Sequence, residues 1–489
     1  MKYLIIFLLL IASAIAHSQE VITLEQAMEI AMKNSPDILK SELQMTISRE
    51  NLNAQQAATK SLFNFQLTPF HYDQSRTFYS PLARWYTSET RHISGDFSVS
   101  QPIIFSDGRI TLHNQLFYRN VVSEFENAQE FKGFSNNLFL SYSQPLFTYN
   151  KLRMQLDQLK LALENATLSY SIQRLYLERA VNQYFYVVYQ RKMALGIAGE
   201  EYRNQQTSYE IIKSKVEGGL SAMEELYQAE LNLTSSRSNL QNAMVNLENA
   251  KDDFRQYIGL PLNKEFDIQT NIEFKEVPID LNRAIENGLN TRMELRQREI
   301  NIENSRDQLT VAKATNEFAG SMELSIGVFG ENEEFNRVYE NRTLTPQVTL
   351  GFNIPLWDWG ERKSRIKAAQ AAVKIDEINL EVERTQVELG IRQVYRNLQN
   401  LALQIEIARQ NEKNAQLTYN INLERYKNGD LTGMDLSLFQ NQLSQKKIDL
   451  ANSLINYRIE LLNMKIQSLW DFERNTSFVP MELQQNINN

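Results

Sequence analysis

Two stretches of this chain, KVEGGLSAMEEL at residues 215–226 and RYKNGDLTGMDL at 425–436, interrupt long helix-forming runs in the same way, 210 residues apart. The flanks of both are rich in Leu, Ala, Glu, Gln and Lys. The same offset pairs Pro145 with Pro355, Gly219 with Gly429, Glu225 with Asp435, Leu233 with Leu443 and Asn246 with Asn456. Near the start, TLEQAMEIAMKNSPDIL (23–39) matches DLNRAIENGLNTRMEL (280–295) at an offset of 257, so the first copy carries 47 extra residues between 61 and 135. Two copies are too few for a solenoid, which needs about three. They describe a duplicated unit with pseudo-symmetry: a first repeat over 19–262, a second over 279–472, and a tail over 473–489.

Each copy reads in the same order. Thr23 and Gln26 form a capping-box pattern that opens a short helix, and Asn34-Ser35-Pro36 stops it and starts the next. Asp280 and Thr291 take these roles in the second copy. Helices are expected over 35–60 and 292–317. The period then changes from helical to two. In SMELSIGVF (321–329), QVTLGFNI (347–354), NLFLSYSQP (137–145) and RITLHNQLFY (109–118), one face is apolar and the other polar or small. That alternation suits strands of an outer-membrane barrel. A soluble sheet with one buried face gives the same pattern.

Very long helices follow, over 150–215 and 360–425, then the breaks, then helices over 221–258 and 432–470. The two shorter helices of a copy, laid end to end, equal the long one, about 100 Å at 1.5 Å per residue. The second long helix also has two heptad seams. Ile366, Val373, Leu380, Val387, Val394 and Leu401 form one; Ala368, Ile375, Val382 and Leu389 form the other. An offset of two residues is about 200° around a helix, so the seams face nearly opposite ways. A two-stranded coiled coil needs one seam, whereas a helix in the wall of a tube needs two.

The N-terminus, MKYLIIFLLLIASAIAHSQE, has Lys2, an apolar stretch and Ala14-Ile15-Ala16, the pattern of a secretory signal peptide over 1–18. No later stretch is apolar for long enough to be a transmembrane helix, so an exported chain like this enters a membrane only as a barrel. Net charge is -8 without a basic patch, which argues against a nucleic-acid partner. Cysteine is absent, so disulfides, thiol chemistry and Cys-based metal sites are excluded. His17, His71, His92 and His113 show no metal-ligand spacing, and there is no nucleophile motif or phosphate loop. The sequence points away from an enzyme and from a cofactor.

With these features together, the chain resembles the TolC-type outer-membrane efflux protein family over essentially all of its mature length. The residues most specific to the resemblance are Lys215-Val216-Glu217-Gly218-Gly219-Leu220 and Arg425-Tyr426-Lys427-Asn428-Gly429-Asp430, with the opening ITLEQAMEIAMKNSPDI (22–38) beside them. The resemblance implies a mainly α fold with a β-barrel part. In it, a homotrimer shares a 12-stranded barrel in outer-membrane lipid, four strands from each chain, joined to a long periplasmic α-helical barrel. It implies an exit duct for efflux or type I secretion, docked onto a periplasmic adaptor and an inner-membrane transporter. The chain departs from that pattern in its first half, where 94–101, 109–118 and 137–144 offer more strand-like pieces than two. There 80–92 reads as part of a long hairpin or an extracellular loop. The runner-up is a structural periplasmic coiled coil without a barrel.

Under this resemblance the breaks are hairpin turns at the periplasmic tips. Gly218, Gly219 and Gly429 permit the reversal, and Ser221 or Thr432 caps the returning helix. The adaptor-docking tips are Lys215, Gly218, Gly219, Leu220, Arg425, Asn428, Gly429 and Asp430. Glu225 and Asp435 fall where the family has acidic residues of its closed entrance, and Tyr426 falls where a family residue holds that entrance shut. A second family aspartate is replaced by Leu438.

Overall fold

The structure is a computed structural model that describes residues 20–123, 131–269 and 274–479. The signal peptide and the last ten residues of the tail lie outside the described residues. The chain divides into two compact units. One comprises residues 1–44, 166–297 and 381–489, and the other 45–165 and 298–380.

Helix α1 (Leu24–Asn34) begins as its sequence dictates. The Thr23 amide donates to Gln26 Oε1 at 2.9 Å and the Gln26 amide donates to Thr23 Oγ1 at 3.3 Å, so two orphan donors are satisfied reciprocally. Helix α2 (Pro36–Ala58) follows directly. In the second copy, α5 (Leu281–Thr291) is capped by Asp280, whose carboxylate accepts from the amides of Asn282 and Arg283, and α6 (Met293–Lys313) follows. Both α2 and α6 end earlier than the helical period suggests. The long helices are α3 (Lys151–Glu217) and α7 (Glu361–Asn428), and the returning helices are α4 (Met223–Ile258) and α8 (Gly433–Ser468).

In the first unit, strand β1 (Glu20–Ile22) pairs in parallel with β6 (Phe266–Ile268). Ile22, Ala27, Ala31, Ile38, Val181, Phe185, Phe254 and Phe266 form one buried core there. Arg255 closes that core from the side. Its guanidinium lies 5.0 Å from the Phe266 ring centre, donates to Lys264 O at 2.9 Å and to Asp252 at 2.6 Å, so its charge is spent inside the fold. After α8 the chain forms a small hairpin, β10 (Trp470–Asp471) with β11 (Thr476–Ser477).

The second unit holds the sheet. Its long strands are β2 (Leu62–Tyr79), β3 (Arg84–Ile103), β4 (Gly108–Ser123), β5 (Phe131–Leu146), β7 (Ala319–Asn332) and β9 (Gln347–Asn353). They lie in that order, each antiparallel to the next, and the short β8 (Thr343–Leu344) also pairs with β7. Six long strands stand where the resemblance implies four. The stretch 80–92 is not a free loop: a single turn at Ser80–Leu82 joins β2 to β3, and residues 84–92 are strand. The sequence hides β2 because its alternation slips by one at a bulge between Thr68 and His71, around Pro69. Proline is tolerated there because the bulge leaves it out of the paired ladder, and a bulge reverses which residues face which side.

Candidate functional site at the paired helix turns

Both breaks end their long helices with the same motif. Gly219 has φ +72° and Gly429 φ +85°, a left-handed conformation that costs a Cβ-bearing residue. The Leu220 amide donates to Lys215 O at 2.7 Å and the Gly219 amide to Val216 O at 3.0 Å. In the second copy the Asp430 amide donates to Arg425 O at 2.9 Å and the Gly429 amide to Tyr426 O at 3.1 Å. This is a Schellman closure, which satisfies carbonyls that the helix end would leave bare.

The two returns differ. Thr432 is the N-cap of α8, and its Oγ1 accepts from the Asp435 amide at 3.2 Å and donates to Asp435 Oδ2 at 2.7 Å. In the first copy the equivalent residue is Ala222, which has no side-chain cap to offer. Ser221, expected as the cap, stands one position too early. Its hydroxyl donates instead to the Glu225 carboxylate. Each acid is therefore held by a hydroxyl of its own turn, at the positively polarised start of a helix.

The two turns pack on a common core of Ile212, Ala229, Tyr419, Tyr426, Leu436 and Leu443. Above it lies a cavity of about 570 Å³ whose lining includes Lys215, Leu220, Glu225, Tyr426, Asn428, Gly429, Asp430 and Asp435. Eight of the eleven residues singled out in the sequence thus surround one space. Gly218, Gly219 and Arg425 do not line it; the Arg425 side chain turns back to Asn422 at 3.3 Å. Tyr426 is the pivot. It is 2% exposed, with the Lys215 Nζ 5.0 Å from its ring centre, yet its hydroxyl has no hydrogen-bond partner among the described residues. Burial first, and the Glu225 charge second, push its phenol above the usual tyrosine range. Sequence reasoning missed the role of Gly433 at the first position of α8. A Cβ there would meet Ile212 Cδ1 at 3.0 Å, so the two turns approach closely enough that a side chain would make the Ile212 tip shift.

Among the described residues no His, Cys, Asp or Glu group is arranged to hold a metal ion, and no helix is long and apolar enough to cross a membrane. The sequence model of the family described as "Outer membrane efflux protein" matches residues 121–260 and 284–465, well over half of the chain. This chain belongs to the outer membrane efflux protein family. No curated protein matches it by sequence. Solved structures of similar fold include the Campylobacter jejuni CmeC outer membrane channel, 16% identical with a TM-score of 0.69, over 95% of this chain and 88% of that one. The Vibrio cholerae outer membrane protein VceC is 13% identical with a TM-score of 0.68, over 93% and 96% of the two chains. The open state of the Neisseria gonorrhoeae MtrE outer membrane channel is 12% identical with a TM-score of 0.64, over 93% and 90%. As a family member the protein is an exit duct of the outer membrane for efflux, extending into the periplasm, and not an enzyme. Family members work with adaptor proteins and inner-membrane transporters. The alternative of a coiled coil without a barrel finds no support.

Proposed function

We propose that this outer membrane efflux protein works as a homotrimer whose two repeats, 19–262 and 279–472, supply paired tips to a periplasmic adaptor. In this reading the tail, 473–489, is an appendage to the second repeat. The tips carry Lys215, Gly218, Gly219, Leu220, Arg425, Asn428, Gly429 and Asp430 to the adaptor. Glu225, Tyr426 and Asp435 form the periplasmic gate behind them. The observation that carries this reading is the shared cavity, which gathers tip and gate residues of both copies around a buried tyrosine with a spare hydroxyl.

Exposed seams support the trimer. Ile375, Val382 and Leu389 of the second heptad seam are each more than half exposed in the single chain. Such a row of apolar side chains needs a neighbour that this chain does not provide. The strands are the part that meets outer-membrane lipid. The resemblance implies four strands per chain, a count that β4, β5, β7 and β9 alone would satisfy. The test is extraction from purified outer membranes. A heat-modifiable trimer that needs detergent is expected; a monomer or dimer soluble without detergent would overturn the reading.

A further inference from the structure

The hairpin β2–β3 is the part of the sheet that the duplication does not account for. It falls among the extra residues of the first copy, and the family match begins only at residue 121. Its register shows what it is built for. Read straight across the sheet, Phe63, Val99, Leu112, Leu140 and Ile326 share one rung. Phe65, Phe97, Asn114, Leu138 and Val328 share another on the same face. The intervening rung, on the opposite face, is Asn64, Ser98, His113, Phe139 and Gly327. One face is thus an apolar band, interrupted at residues such as Asn114, and it runs through β2 and β3 without a step. A hairpin standing in water has no use for that band.

The band is also the right height. Past the bulge, the same face carries Tyr72, Gln74, Arg76 and Phe78 on β2 opposite Arg91, Glu89, Thr87 and Trp85 on β3, so polar and charged residues interrupt the band before the aromatic pair Phe78–Trp85 at the hairpin tip. The apolar stretch from Phe63 to Tyr72 is about ten residues, the length of a tilted strand across a bilayer. At the helix side the hairpin is pinned rather than loose. The Asp107 carboxylate in the β3–β4 turn accepts from the amides of Lys151 at 3.3 Å and Leu152 at 3.1 Å, capping α3. Asn150 Nδ2 donates to Ile104 O at 2.6 Å, and Gln101 Nε2 donates to Thr59 O at 2.9 Å. Finally, six successive antiparallel strands leave the two edges, β2 and β9, running in opposite directions. The open edge of β9 in one chain therefore suits antiparallel pairing with β2 of a second copy.

We infer that the β2–β3 hairpin is part of the membrane barrel, that the seam between copies is β9 against β2, and that the trimer closes on eighteen strands. The inference rests on the homotrimer proposed above. Barrel diameter rises roughly in proportion to strand number, so the lumen is about half as wide again as twelve strands would enclose.

The chain has no cysteine, which makes disulfide mapping clean. Asn64→Cys or Gln66→Cys in β2 is combined with Thr349→Cys or Gly351→Cys in β9, and Thr111→Cys or His113→Cys in β4 with the same β9 positions. Each variant is first treated with an amine cross-linker in outer membranes, to establish that it assembles as the wild type does. Oxidation should then give a reducible trimer ladder for β2–β9 pairs and none for β4–β9 pairs. A ladder from β4–β9 alone would place the hairpin outside the barrel and restore twelve strands. Trimers that form neither disulfide would overturn the seam. Failure of the wild type itself to give trimers with the amine cross-linker would instead overturn the homotrimer, a result the disulfide pattern cannot mimic.

Discussion

Lys215 sets its ammonium nitrogen 5.0 Å from the centre of the Tyr426 ring, so the last turn of one long helix grips the last turn of the other. A partly desolvated contact of this kind contributes about 1 kcal/mol. Lys215→Met keeps the aliphatic packing and loses the charge. Amide exchange over 209–220 and 423–431 should speed up about fivefold, a factor of five being about 1 kcal/mol. Unchanged exchange would show that the contact contributes nothing.

The spare Tyr426 hydroxyl makes the opposite prediction for the isolated chain. Tyr426→Phe removes a buried, unsatisfied group, which is close to neutral or stabilising. The tip should therefore exchange no faster. If the hydroxyl finds its partner on a neighbouring chain at the gate, the same variant should raise single-channel conductance in planar bilayers. Wild-type conductance would take Tyr426 out of the gate.

Glu225 and Asp435 are each bound by a hydroxyl of their own turn. In a trimer each position makes a ring of three carboxylates, which favours cations. The double variant Glu225→Gln, Asp435→Asn should reduce cation selectivity in the reversal potential while leaving the trimer intact. The same reversal potential in wild type and variant would remove both acids from the conduction path.

Nothing lies within 4 Å of a Cβ built on Gly219 or Gly429, so a substitution there meets strain and no clash. Asn accepts left-handed backbone far better than Val. Gly219→Asn with Gly429→Asn should keep most export. The double Val variant should lose it, with about 1–2 kcal/mol of strain at each tip. Equal export by both variants would mean that the closure is not needed. Gly288 is the contrasting case. A Cβ there would meet Ile391 Cδ1 at 2.6 Å and Gln467 O at 3.1 Å, so Gly288→Ala should destabilise by about 1–3 kcal/mol through overpacking, read as a lower unfolding temperature.

Acid should loosen the end of α8. Burial works to raise the Asp471 and Glu473 carboxyls, but it is outweighed. Lys465 lies 3.2 Å from Asp471 and 2.7 Å from Glu473, and Arg458 lies 2.9 Å from Glu473. With backbone amides at Asp471, these hold both groups below the usual carboxylate range. A depressed folded-state pKa gives stability that is present above the unfolded value, here 3.8 and 4.5, and is lost as pH falls through the folded values. Unfolding temperature should therefore fall below about pH 4, and less steeply in Lys465→Met. An equal acid response in that variant would assign the loss to other carboxylates.

Most helix boundaries were legible because they are written in local chemistry, the exceptions being the ends of α2 and α6 and the uncapped start of α4 at Ala222. Thr23 with Gln26, Asp280, Thr432, and the two glycines at the tips each satisfy backbone groups within four residues. The sheet, six long strands and the short β8, was less so. Phe63, Phe65 and Leu67 alternate cleanly, but Pro69 and the bulge shift the apolar residues to Phe70 and Tyr72, and a period-two reading breaks there. The site lay between these cases. Its residues are named by the repeat, but their meeting around Tyr426 depends on two segments 210 positions apart packing together, and no spacing within either segment encodes that.

The ends of both long helices are closed by backbone hydrogen bonds, and this leaves the outermost side chains of the tips free to differ. At the same position of the motif one tip carries Leu220, 82% exposed, and the other carries Asp430. One scaffold thus presents an oily thumb and an acidic one. If the tips dock as proposed, a partner built from identical repeats would meet two unlike sockets in alternation, and would either tolerate both or seat its copies in two different ways.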